Sequence, residues 1–160
     1  LKDWYPFSKY AILAELKTAD AYFNLEEYED AVFAYEEFES LHPRNEAIPY
    51  VIFQIGMCHF NRIDSVDRDQ ETAKKALNTF RHLRERYPNS AYAAKGGEFL
   101  DQCLKSLAEH ELYVGRFYYK SKHYKSALHR LRGILANFPD IDGIHGRTKH
   151  YISLCEANMK

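Results

Sequence analysis

Long apolar runs are missing from this chain: nowhere do about 18 apolar residues follow one another, the length a membrane-spanning helix requires. Glycine and proline are scarce, seven and five in 160 residues, which speaks against turn-dense all-β folds and against low-complexity disorder. Cysteine is scarcer still. Cys58, Cys103 and Cys155 are odd in number, far apart and without a C-x-x-C spacing. Neither a disulfide framework nor a zinc cage is therefore expected, and all three read as small buried apolar residues.

Motifs for chemistry are missing as well. HELYV at 110–114 lacks the second histidine of a zincin helix, and His145 and His150 stand five apart, off one helical face. There is no glycine-rich phosphate loop, and no Ser or Cys has a neighbouring cue for activation. The eight histidines read as solvent-facing or packing residues. No enzyme, cofactor or metal site is expected.

Aromatic residues, by contrast, make up 15% of the chain, more than a solvated linker carries, and point to an ordered helical body. Net charge is −1, but residues 1–60 hold 11 acids and 4 bases while 61–160 hold 12 acids and 18 bases. Bulk nucleic-acid binding is not indicated by that balance. The acidic run EEYEDAVFAYEEFE (26–39) reads as a solvated helix face. The basic run KSKHYKSALHRLR (120–132) suits either solvent or the acidic surface of a partner, nucleic acid being the weaker option.

WYPFSKYA at 4–11 and RYPNSAYA at 86–93 are nearly the same phrase, with echoes in LHPRNEAIPY at 41–50 and NFPDIDGI at 137–144. Such self-similarity is the mark of a repeat architecture. Counting twelve back from Pro43 reaches Ala31, with Tyr35 four later, and twelve further back stands Ala19 with Tyr22 three later. The same count from Pro139 reaches Ala127, Leu131, Gly115 and Tyr118. From Pro88 it gives Ala76 and Phe80, but Gly56 lies twenty before Ala76, so eight extra residues sit in a polar connection. Small residues let paired helices approach, bulky ones fill the space beside the crossing, and proline ends the second helix. This is the tetratricopeptide (TPR) pattern of about 34 residues.

The expected fold is therefore all-α, a TPR-like solenoid of helical hairpins in a right-handed superhelix. Its expected parts are the close of a preceding repeat over 1–6, a repeat over 12–45, and a repeat over 48–89 with a loop insertion at 61–71. An unusually long helix over 90–121, capped by Ser90, leads into a repeat over 108–141, and 143–160 is the first helix of another. Terminal repeats need caps, so a longer chain is expected. Groove-facing positions lie three before the small residue and one and four or five after it. They give Leu16, Asp20, Phe23 and Asn24, then Phe53, Met57, Phe60 and Asn61, then Leu112, Arg116, Tyr119 and Lys120. Such an aromatic trough, with amides first and cations later, suits an extended peptide with apolar side chains and a carboxylate. Alternatively, its aromatics pack on the neighbouring repeat.

YPFSKYA, RDQ in the insertion, AKKALNTFRHLRERYPNSAYA, LAEHELYVGRFYYKSKHYKSALHRL and FPD together resemble the BamD (ComL) family of outer-membrane β-barrel assembly lipoproteins. The uneven proline spacings of 37, 45 and 51 fit that family better than a uniform array. The resemblance implies a TPR scaffold on the periplasmic face of the outer membrane, held by a lipidated N-terminal cysteine that none of the three cysteines here represents. It also implies three kinds of partner: the periplasmic domains of a barrel-forming subunit, other assembly lipoproteins, and the C-terminal signals of unfolded outer-membrane proteins. The first two repeats would then form the substrate half, and Arg116, Tyr119, Lys120 and Arg130 the docking half. A cell-division coordinator keeps a more regular period, and a chaperone adaptor for acidic tails needs more groove cations than Arg116 and Lys120.

Overall fold

The computed structural model describes residues 8–160. The expected close of a preceding repeat, with Pro6, lies outside the described residues. Among these, seven helices and no strand occur: α1 (Lys9–Asn24), α2 (Tyr28–Leu41), α3 (Ile48–Phe60), α4 (Glu71–Arg86), α5 (Ala91–Lys120), α6 (Tyr124–Asn137) and α7 (Ile144–Asn158). No helix of the described residues is long and apolar enough to cross a membrane. The described residues divide into two compact units, the first comprising residues up to 63 with 72–100 and the second 64–71 with 101–160. Helix α5, 30 residues long, contributes to both.

Serine and proline set the helix ends. Ser8 is the N-cap of α1, its Oγ accepting from the Ala11 amide at 3.0 Å, and Ser90 Oγ accepts from the Tyr92 amide at 3.1 Å before α5. Each satisfies an amide that the first helical turn leaves without a carbonyl. Pro43, Pro88 and Pro139 follow the ends of α2, α4 and α6, whereas Pro49 sits in the first turn of α3, where its missing N–H is harmless. The turns α1–α2 and α5–α6 are built alike. Glu26 and Lys122 take left-handed φ of 60° and 62°, while the amides of Glu27 and His123 reach back to the carbonyls of Tyr22 and Tyr118 at 3.0 and 2.9 Å. That is a Schellman closure without glycine.

The first unit's core forms where α1 packs on α2 and α2 on α3. Ala19 and Ala31 are wholly buried and leave room for Tyr35, also wholly buried, with Phe38, Val51 and Ile52 around them. Glu15 Oε2 and His42 Nε2 meet at 2.6 Å in a largely enclosed hydrogen bond between the first two helices. At the α3–α4 crossing, Gly56 lies against the ring of Phe80 so closely that a Cβ there would fall 2.5 Å from Cε1.

In the second unit α6 packs on α7, and Gly115 plays the part of Gly56: a Cβ on it would lie 2.6 Å from Cδ2 of Leu131. Ala108, Ala127, Ile134, Ile144 and Cys155 complete this core. Residues 64–70 are held on α5 by Gln70, only 4% exposed. Its Nε2 donates to the carbonyls of Ser65 and Arg68, both at 3.0 Å, and its Oε1 accepts from Ser106 Oγ at 2.8 Å. Three hydrogen bonds on the two polar atoms of one buried amide give the polar connection a fixed path. Gln70→Ala is expected to release it by about 1–3 kcal/mol. Amide hydrogen exchange over 64–70 should then accelerate on the order of tenfold with α7 unchanged, and equal rates would show that other contacts hold the segment.

Candidate protein-binding surfaces

Asp20 is the most committed of the expected groove residues. Its Oδ1 accepts from the hydroxyls of Tyr35 at 2.5 Å and Tyr50 at 2.8 Å, and Gln54 Nε2 donates to Tyr35 at 3.4 Å. One carboxylate oxygen thereby fastens α1 to α2 and α3. Burial first, then the bond to Asp20, pushes the Tyr50 phenol up to about 12, and the Tyr35 phenol rises further for the same reasons. Asp20 thus serves the fold whatever it also presents at the surface.

The remaining first-unit residues separate into two groups. Phe23 stands edge-on to Tyr28 at 5.7 Å, and Asn61 Nδ2 donates to the Tyr28 hydroxyl at 3.3 Å, which brings the ends of α1 and α3 together at the start of α2. Asn24 and Asn61 are exposed, and Leu16 and Met57 are half-buried. Phe53 and Phe60 instead turn to α4 and α5: Phe53 meets Phe80 of α4 and Tyr92 and Phe99 of α5 at 6.1, 5.6 and 6.0 Å, and Phe60 meets Phe99 at 4.9 Å. These rings pack between helices, the second of the two readings open at the level of sequence. The acidic run of 26–39 has six of its seven acids exposed, as a solvated face should.

In the second unit Leu112 is only 3% exposed and belongs to the core with Ala108 and Ala127, and it forms the floor of a cleft beside Arg116. Arg116 is exposed, with its guanidinium over the Tyr151 ring at 5.4 Å, and Tyr119 packs on Tyr151 at 5.7 Å and Tyr124 at 6.0 Å. Lys120 is exposed in the last turn of α5. Arg130, on α6, lies elsewhere, its Nη1 donating to both carboxylate oxygens of Glu111 at 3.1 and 3.0 Å. Five residues of helix, on the order of 140° of rotation, separate Glu111 from Arg116, so the expected docking set is split between two faces of α5.

Three groups were missed by the repeat offsets. Tyr50 and Gln54 lie on α3 beside Asp20 but carry no repeat signature. Arg147, His150 and Tyr151 on α7 join Arg116 around a cleft of 440 Å³. Tyr113 and Phe117 are 45% and 58% exposed, and their i, i+4 spacing next to the Gly115 position is the signal that marks them. Among the described residues no group of His, Cys, Asp and Glu is placed to hold a metal ion. Cys58, Cys103 and Cys155 are all buried, and burial pushes the first two thiols up to about 12.

Helical hairpins crossed at small residues, with side chains displayed along their first helices, make this a TPR-like repeat protein. The chain belongs to the YfiO family, described as outer membrane lipoprotein, whose model matches residues 1–153. It is 30% identical over 148 residues to "Outer membrane protein assembly factor BamD" of Neisseria gonorrhoeae, covering 86% of this chain and 55% of the relative. Proteins of the same name from Caulobacter vibrioides and Vibrio cholerae are each 30% identical, over 131 and 149 residues, covering 82% and 86% of this chain and 43% and 61% of theirs. The chain spans about half the length of the curated relatives it matches.

Proposed function

We propose that the chain is the repeat scaffold of an outer-membrane protein assembly factor, acting by binding other polypeptides rather than by catalysis. Membership of the outer membrane lipoprotein family, with relatives named assembly factors, is the observation that carries this reading. In it the protein works at the periplasmic face of the outer membrane on a lipid anchor, beside other assembly lipoproteins. The face around Phe23, Asn24 and Asn61 takes C-terminal segments of unfolded outer-membrane proteins, supported by exposed amides beside an aromatic pair. Arg130 and the exposed bases of α6 dock the periplasmic domain of the barrel-forming subunit.

Titrating that periplasmic domain against the parent chain and Arg130→Glu tests the docking. Arg130 is 42% exposed in its side chain, so its reversal should leave the fold intact while placing two carboxylates side by side at the interface. Binding weaker by about tenfold is expected, equivalent to losing one charge-assisted contact; equal affinities would overturn it. For the substrate face Asn24→Ala is the cleaner probe, because Phe53 serves packing and its loss would mix folding with binding.

A further inference from the structure

We propose that the cleft between the second half of α5 and α7 is a binding site for an acidic polypeptide segment that carries aromatic side chains. It is a site apart from the Arg130 surface and independent of the assembly reading. Arg116, Arg147, His150 and Tyr151 line a 440 Å³ opening whose floor includes the buried Leu112. The two arginines differ in what they have left to offer. Arg147 is held by Glu109 through both terminal nitrogens, at 3.1 and 2.5 Å, and Asp142 and Asp140 also act on it. Arg116 rests on the Tyr151 face, and among the described residues no carboxylate pairs with it. Stacking on the ring orients the guanidinium plane while leaving its N–H donors open to an incoming acceptor.

The exposed stripe of α5 extends the cleft along the helix. Tyr113, Arg116, Phe117 and Lys120 recur at three- and four-residue intervals and therefore share one face. Two aromatic rings, 45% and 58% exposed, thus alternate with two cations that have no acidic partner among the described residues. Two exposed aromatics on one helix face offer contact to apolar groups, and the flanking cations select an occupant whose apolar groups are interleaved with negative charge. A single terminal carboxylate would answer only one of the cations. Arg116 and Lys120 lie a helical turn apart, and His150 on α7 supplies a further donor, so the fit is to several acidic side chains along an extended segment.

The probe is a short fluorescein-labelled peptide alternating glutamate with tyrosine, acetylated and amidated so that no terminal carboxylate is present. Anisotropy with the parent chain should show binding that weakens as sodium chloride rises from about 0.05 to 0.5 M, as screening requires. Arg116→Gln, with circular dichroism unchanged, should weaken it about tenfold, and Phe117→Ser should weaken it further. A peptide with glutamine for glutamate should lose most of its affinity. Arg130→Glu should bind as the parent does, which separates failure here from failure of the docking surface. The proposal is overturned if the parent does not bind the acidic peptide. It is equally overturned if Arg116→Gln binds it unchanged, if the glutamine peptide binds as tightly, if only a peptide with a free C-terminal carboxylate binds, or if Arg130→Glu loses as much as Arg116→Gln.

Discussion

Asp20→Ala is expected to destabilise the first unit by roughly 2–4 kcal/mol, read as a shift of the urea midpoint followed by circular dichroism. The substitution removes the acceptor of two phenols at once, those of Tyr35 and Tyr50, and Tyr35 is wholly buried. An unsatisfied buried donor costs about 1–3 kcal/mol, with bonds to a charged acceptor at the upper end and the half-buried Tyr50 at the lower. Tyr35→Phe in the Asp20→Ala background should recover part of the loss, since removing both partners is nearly neutral where removing one is not. A midpoint within about 0.5 kcal/mol of the parent would show that water replaces the carboxylate without penalty. The same bonds set an alkaline limit. The Tyr50 phenol is raised from its ordinary 10.0 to about 12, and that of Tyr35 more. In the unfolded chain both ionise near 10, so each contribution is whole below that pH; Tyr50's is lost as pH rises from about 10 through 12, while Tyr35's goes on falling above that. Absorbance at the phenolate band should show two tyrosines titrating late in the parent and fewer late in Asp20→Ala. A loss of peptide binding in that variant would therefore report a loosened hairpin as readily as a missing contact.

The repeat register was legible because packing at a helix crossing fixes residue size. Ala19 and Gly115 were expected from proline counts alone and Gly56 from the same count with eight inserted residues, and each is buried where two helices meet: a wholly buried Ala19 beside Tyr35, Gly56 against Phe80, and Gly115 against Leu131. Ser90 was legible for a similarly local reason, since a cap acts over two or three residues of chain. Partnerships across the hairpins were not. Tyr50 reaches Asp20 over 30 residues, Arg130 reaches Glu111 over 19, and Arg147 reaches Glu109 over 38. No periodic signal relates such pairs, because long polar side chains choose their partners only once the helices are side by side. Leu112 shows the limit of offset rules: a position three before the small residue stays open at Leu16, which is half-buried, and is covered at Leu112. The docking set divided for the same reason, its members sharing a repeat but not a face.

Glycine to alanine should have opposite signs at two helical positions of the first unit. By helix propensity alone each change gains about 1 kcal/mol, since alanine loses less backbone freedom on folding. At Gly97, in α5, an added Cβ meets nothing within 4 Å, so Gly97→Ala is expected to stabilise by up to about 1 kcal/mol. At Gly56, in α3, the same Cβ would sit 2.5, 2.8 and 2.9 Å from three carbons of the Phe80 ring. That ring cannot withdraw easily. It is 1% exposed, packs against Phe53 and Phe99 at 6.1 and 5.9 Å, and has Gly96 on it at a distance that would put a Cβ 3.1 Å away. Overpacking of a rigid aromatic costs about 1–3 kcal/mol and at the upper end exceeds the propensity gain, so Gly56→Ala is expected to destabilise by about 1–2 kcal/mol. The bulkier Gly56→Leu should exceed that. Phe80→Leu alone opens a void and lowers stability, yet combined with Gly56→Ala it should lose less than the two changes summed, because the new methyl fills the space the ring gave up. Thermal melts of the five variants decide the matter: stabilisation by both Gly56→Ala and Gly97→Ala, or strict additivity at Gly56 and Phe80, would mean that propensity rather than the small-against-large crossing governs the hairpin.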